Sequence, residues 1–252
     1  MEAITTSGET QLAPANTLRG EWSRFFSFLK WPTLPARAEP LQASSWVAIG
    51  RMLALDMLFM SVLLGIAFAA MASGVEIPET AISGMEMTAQ LAFAAIVFAP
   101  IAEEIAFRSW LSGRPGHVAF IVLSVVALGI LGMQGVPNPD NVDPATALIA
   151  LTVFLAGVVA IYVLRDRDAM GWFQKLFPLF FWLSALAFAS IHLLNFEENI
   201  TAVLPLVLPQ FVIGLVLGYL RVHYGLWSAI VLHMLHNAAF IALVAVAGSA
   251  GA

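Results

Sequence analysis

Residues 87–110 read MTAQLAFAAIVFAPIAEEIAFRSW, an almost unbroken apolar run that ends in two adjacent glutamates and an arginine. A run of this length is what a membrane crossing needs, because the hydrocarbon core is about 30 Å thick and each helical residue rises about 1.5 Å. Working outward, six further stretches qualify, at roughly 46–73, 117–134, 144–164, 177–196, 199–221 and 225–249. The expected fold is therefore all-α, a polytopic bundle of about seven transmembrane helices. Composition agrees: 60% of the 252 residues are hydrophobic, 11% are charged, cysteine is absent, and the mean hydropathy is +0.89. An average soluble domain is about 25% charged, and this chain has too little charge to cover a globular surface. That excludes a soluble enzyme, a disordered chain and a basic nucleic-acid binder; the partner the composition demands is the lipid bilayer. The missing cysteines exclude a disulfide scaffold, thiolate chemistry and Cys-ligated zinc.

The chain divides into a polar tail at 1–45, expected on the cytoplasmic side, and a membrane-embedded domain at 46–252. In the tail, Trp22, Phe25, Phe26, Phe28, Leu29 and Trp31 alternate with Arg24 and Lys30. That pattern predicts either a short amphipathic helix at headgroup level or a segment packed on the loops. With seven alternating spans, Arg19, Arg24, Lys30, Arg37, Arg114, Arg165, Arg167, Lys175 and Arg221 all fall on the side of the tail. The opposite loops carry Glu76, Glu79, Glu86, Asp140, Asp143, Glu197 and Glu198 and no basic residue. The positive-inside rule then predicts a cytoplasmic N-terminus. Pro205 and Pro209 are expected to kink or break the sixth span.

Ionisable groups inside spans mark function, pairing or water. Glu104 and Arg108 are four residues apart on one helix face and can pair, with the acid N-terminal to the base. Glu103 is rotated about 100° from Glu104 and points elsewhere; a carboxylate without a partner beside apolar walls suits a general base. His192 lies in the fifth span, just before Asn195. His233 and Asn237 share a face of the seventh, with His236 between them. Together these residues offer a water-activating base, a second base or orienting group, and two donors for an oxyanion. The plainer readings are a helix-end charge cluster for Glu103, Glu104 and Arg108, interfacial histidines at 192 and 236, and interhelical hydrogen-bonding for His233 and Asn237. Arg51 and Asp56, five apart on poorly aligned faces, read as interfacial and are assigned no role.

The motifs Glu103-Glu104-x-x-x-Arg108, Phe188-x-x-x-His192 and His233-x-x-x-Asn237, in this order on apolar helices, resemble those of the CPBP intramembrane proteases, the CAAX-prenyl-protease and bacteriocin-processing (ABI) group. The resemblance covers roughly 86–245. It implies an endopeptidase, a hydrolase cleaving small or membrane-associated peptide or protein substrates, with Glu103 and His192 activating water, His233 and Asn237 holding the oxyanion, and Glu104 and Arg108 supporting them. It also implies residence in a bacterial inner membrane. The family often carries a metalloprotease label, and Glu103, His192 and His233 would be the ligands if zinc were bound. Because the His-Glu-x-x-His signature of helical zinc proteases is absent, the expectation is a glutamate-dependent mechanism with no metal. The alternative function is a catalytically silent immunity or regulatory protein that binds a peptide in the same cavity. A transporter is a weaker alternative, since the two halves show no repeat. Two apolar stretches, 117–134 and 144–164, lie between Glu103 and His192, where the resemblance implies a shorter connection. The motifs must also share one depth to act together, which requires the fifth span to sit lower than 177–196, or 109–116 to be buried deeper, or one of the two extra stretches not to cross.

Overall fold

A computed structural model describes residues 15, 17–35, 37–39, 42–78, 87–133, 143–196 and 200–250. Among them there is no strand. Helix α1 (Leu18–Lys30) precedes seven helices long and apolar enough to cross a membrane: α2 (Ala43–Ala72), α3 (Ala89–Ser112), α4 (Pro115–Gly132), α5 (Pro144–Val163), α6 (Gly171–Asn195), α7 (Leu204–Tyr224) and α8 (Leu226–Ala250). The all-α, seven-span expectation holds. Of the acidic loop residues, Glu79, Glu86, Asp140, Glu197 and Glu198 lie outside the described residues, as do 1–14 of the tail.

Helix α7 is the axis of the bundle, packed by α2, α6, α8, α1 and the end of α3. Every residue from Ile213 to Val222 is buried. Two glycines, Gly214 and Gly218, let α6 approach: a Cβ on Gly218 would lie 2.8 Å from the Phe181 ring, and one on Gly214 would lie 3.3 Å from Phe188 and 3.4 Å from Arg108. Small residues four apart are a common device for close helix contact in membranes. The expected break at Pro205 and Pro209 is present as a 3-10 turn, Leu204–Val207, before the α-helix proper starts at Leu208.

Helix α1 is built into this bundle. Thr17 caps it by accepting the Gly20 N–H, and Phe25 and Phe28 are buried against Tyr219, with Phe28 also on Phe181. Its Glu21, 1% exposed, accepts hydrogen bonds from Tyr219 at 2.7 Å and Tyr224 at 2.8 Å and faces Arg51. An acid this deeply buried is tolerated because each partner is a donor. Arg51 also donates to the Ala15 carbonyl, while the Trp22 indole donates to the Arg51 carbonyl. The tail therefore has a core-facing side as well as an exposed one that carries Phe26 and Trp31.

Helices α4 and α5 form a hairpin that packs chiefly on itself. Gly116 and Gly157 sit at their contact, where an added Cβ would lie 2.8 Å from the Ala160 carbonyl and 3.2 Å from Phe120 Cα respectively.

Candidate active site

The site is assembled where α3, α6 and α8 meet against α7. The shape of α3 comes from its sequence. Its middle, Ala94–Phe98, is a π-turn in which the Ala99 N–H reaches the Ala94 carbonyl. The next donor in that register would belong to Pro100, which has no N–H. The Ala95 carbonyl that this proline leaves without a donor is met by Asn237 Nδ2 from α8 at 2.8 Å. A proline-induced defect and a cross-helix amide thus lock together three residues before Glu103.

Glu104 is the hub. It is fully buried, and its Oε1 accepts from Arg108 Nη1 at 2.6 Å and faces His233 Nδ1 at 2.9 Å. The i,i+4 pair expected within α3 is present, and it extends to a second helix. Arg108 is also fully buried, and its guanidinium lies 3.8 Å from the centre of the Phe188 ring, a cation–π contact. Glu103, rotated as expected, has a side chain 30% exposed, with Oε2 3.7 Å from His233 Nε2. That gap is too long for a hydrogen bond and suits a bridging water.

Phe188 stands between the two histidine rings, 4.8 Å from His192 and 5.6 Å from His233 by centroid. His192 Nδ1 lies 2.7 Å from the Phe188 carbonyl. A carbonyl can only accept, so the ring holds its proton on Nδ1 and presents Nε2 as a lone pair. The motif residues of the fifth span come level with those of α3 and α8. Helix α6 starts at Gly171 instead of 177, its first turns run beside the 3-10 end of α3, and Trp110 packs on Phe173 and Phe180. Farther along, Ser184 donates to the Phe107 carbonyl at 2.6 Å, and Phe188 then meets Arg108 and His233.

Two supporting groups escape a reading by motif. Arg221, expected in a loop, is 7% exposed and donates from Nε and Nη2 to the carbonyls of Arg108 and Ser109, each at 2.9 Å. It places a cation on the C-terminal end of the helix that carries both glutamates, where the dipole favours positive charge. Asp56 does not pair with Arg51. It is fully buried, with Oδ2 2.7 Å from His236 Nδ1, and so ties α2 to α8 one residue before Asn237. Spacing within a single helix could not have shown either contact, because the partners of Arg221 and Asp56 lie on other helices.

Among the described residues, no group of three or more His, Cys, Asp or Glu side chains is placed to hold a metal ion. His233 directs Nδ1 to Glu104 and His192 directs Nδ1 to a carbonyl. Glu103, His192 and His233 do not gather as a ligand set.

Seven apolar helices around a buried Glu–Arg–His network define a polytopic membrane protein with an ionisable site inside the bundle. The family model for type II CAAX prenyl endopeptidases, Rce1-like, matches residues 85–239, and the chain belongs to that family of CAAX-protease-like intramembrane endopeptidases. Neither a curated protein nor a solved structure matches the chain.

Proposed function

We propose that the protein hydrolyses a peptide bond in a small or membrane-associated peptide or protein, using water activated by Glu103 and His192. The contact of Glu103 and Glu104 with the two nitrogens of one ring, His233, carries this reading. Glu103 is the carboxylate of the set that is reachable from outside, and a water bridging it to His233 would lose its proton to Glu103 as its oxygen attacks the scissile carbonyl. His192 Nε2, freed by the Nδ1 bond to Phe188, is the second acceptor for the water's protons. The oxyanion would then receive hydrogen bonds from His233 Nε2 and from the Asn237 amide. For that, His233 must hold a proton on each nitrogen. With carboxylates at 103 and 104 and the cation of Arg108, the cluster then sums to zero charge, which an apolar bundle tolerates best. The same carboxylate proton passes to the leaving amine as the tetrahedral carbon collapses.

The setting proposed is a bacterial inner membrane with the N-terminus in the cytoplasm, supported by the segregation of Lys and Arg to one set of helix ends. The test is cleavage of a quenched peptide panel by purified protein in detergent, with wild type beside Glu103→Ala and His233→Ala, and with and without a chelator. Product from wild type alone, indifferent to chelator, is the expected result. Loss with chelator and rescue by zinc would reinstate a metal mechanism, and full biological effect from Glu103→Ala would favour a silent peptide-binding role.

A further inference from the structure

A second polar site lies at the opposite end of α3 from its π-turn. A cavity of about 200 Å3 is bounded by the α1–α2 loop (Leu34, Arg37), the end of α3 (Ser112), the start of α4 (Arg114, His117) and the end of α7 (Arg221). Three arginines and one histidine line it. Three guanidinium groups are gathered here, and among the described residues no carboxylate lines the space.

Each of these groups has hydrogen-bonding capacity left. Arg221, almost wholly buried, uses Nε and Nη2 on the end of α3; Nη1, without a partner among the described residues, is the group it offers to the cavity. Among the described residues Arg114 uses only Nε, on the Arg167 carbonyl. Arg37 reaches Asp168 at 3.1 Å, but both side chains are well exposed, and such a pair holds weakly. His117 Nδ1 meets the Ser112 hydroxyl at 2.7 Å, leaving Nε2. Helix α4 begins at Pro115, so its N-terminal N–H groups and its dipole add positive potential at the same place.

The depth of the cavity identifies the ligand. Gly225 alone joins the end of α7 to the start of α8, and the Met170 N–H bonds the Gly113 carbonyl, which puts the start of α6 beside the end of α3. At this end of the bundle the exposed tryptophans cluster: Trp31 after α1, Trp46 at the start of α2, Trp172 at the start of α6 and Trp227 at the start of α8. Tryptophan belts mark the headgroup level of a bilayer, and basic pockets between helices at that level take anionic headgroups. We infer that this cavity binds an anionic phosphate group, specifically that of a phospholipid headgroup, against Arg37, Arg114, His117 and Arg221. The inference stands independently of the proposed hydrolysis.

The test is the thermal transition of the full chain, purified in neutral detergent, with dioctanoyl phosphatidylglycerol, dioctanoyl phosphatidylcholine or inorganic phosphate added at matched ionic strength. Phosphatidylglycerol at concentrations far above its Kd is expected to raise Tm by roughly 5 °C, phosphatidylcholine and phosphate by much less. An Arg37→Gln/Arg114→Gln double variant, with the same Tm as wild type before any addition, should lose at least half of the shift. Arg221 is left intact because it also caps α3. An equal shift with phosphatidylcholine, or an undiminished shift in the double variant, would overturn the site. A full shift with inorganic phosphate alone would overturn the lipid assignment in favour of a free anion.

Discussion

The α4–α5 hairpin and helix α7 are both apolar enough to span a bilayer, yet they stand in opposite places. In their most apolar stretches, 61% of α7 is buried within the protein, against 11% for each of α4 and α5. Helix α5 is the most apolar of the seven and α7 is among the less apolar. In a soluble protein that ordering would be reversed. In a bilayer, lipid tails solvate leucine as well as another leucine does, so hydrophobicity gives no drive to the centre. What draws α7 inward is close approach at Gly214 and Gly218 and the hydrogen bonds of Tyr219, Arg221 and Tyr224. The hairpin uses its own close-approach glycines, Gly116 and Gly157, on itself and leaves its outer faces to lipid.

If the core is where function and polar stabilisation reside, substitutions there should be costly and those in the hairpin silent. The largest expected effect is catalytic. Glu103→Ala should lower peptide cleavage by roughly 100-fold to 10,000-fold, the usual weight of a general base, with Tm unchanged because this half-exposed carboxylate lies beyond hydrogen-bond distance of His233. Initial rates on a cleavable peptide, beside a melting curve, decide it; a parallel fall in Tm would make Glu103 structural.

Next comes Glu104→Ala, which leaves buried Arg108 and His233 without their acceptor. Breaking a buried ion pair on one side costs about 3–5 kcal/mol, enough to lower Tm by roughly 10 °C. Leu128→Ala on the outer face of the hairpin, where the side chain is 67% exposed, should leave Tm nearly unchanged. Equal losses from the two would mean that the polar network does not hold the core.

A finer contrast uses glycine alone. Gly218→Ala forces a Cβ into the Phe181 ring, whereas Gly129→Ala on α4 meets nothing within 4 Å. Overpacking of this kind costs about 1–3 kcal/mol, so the first should lower Tm by several degrees and the second not at all. Melting curves of the two single variants in the same detergent settle the ordering.

The number of spans was legible because crossing a bilayer sets a minimum apolar length, and the Glu104–Arg108 pair because helical spacing places it. Other features depended on neighbours. The start of α6 was hidden by Gln174 and Lys175, which interrupt the apolar run without interrupting the helix. The bond from Asn237 to the Ala95 carbonyl was hidden, because the need for it arises from a proline on a different helix. Asp56 looked idle because its partner, His236, is 180 residues away. Sequence shows which side chains share a helix face; which faces meet is decided by packing.

The smallest effect is expected from the largest change. The Met170 N–H donates to the Gly113 carbonyl at 2.9 Å, so the two ends of the chain that flank the hairpin already touch. Gly113, at φ +64° and enclosed by Leu34 and Phe173, ends α3 in a conformation that suits only glycine there and turns the chain toward that contact. A short Gly-Ser linker could therefore replace residues 114–169. Because two spans are removed, every remaining helix keeps its direction across the membrane. The network of Glu103, Glu104, Arg108, His192 and His233 draws nothing from α4 or α5. The excised protein should cleave the same peptide with kcat within about threefold of wild type, a change of under ~1 kcal/mol in the barrier. It should also lose the phosphatidylglycerol shift, since Arg114 and His117 leave with the hairpin. A chain that folds, binds detergent as before and yet cleaves nothing would show that the hairpin takes part in the reaction, and the division between core and appendage would then fail.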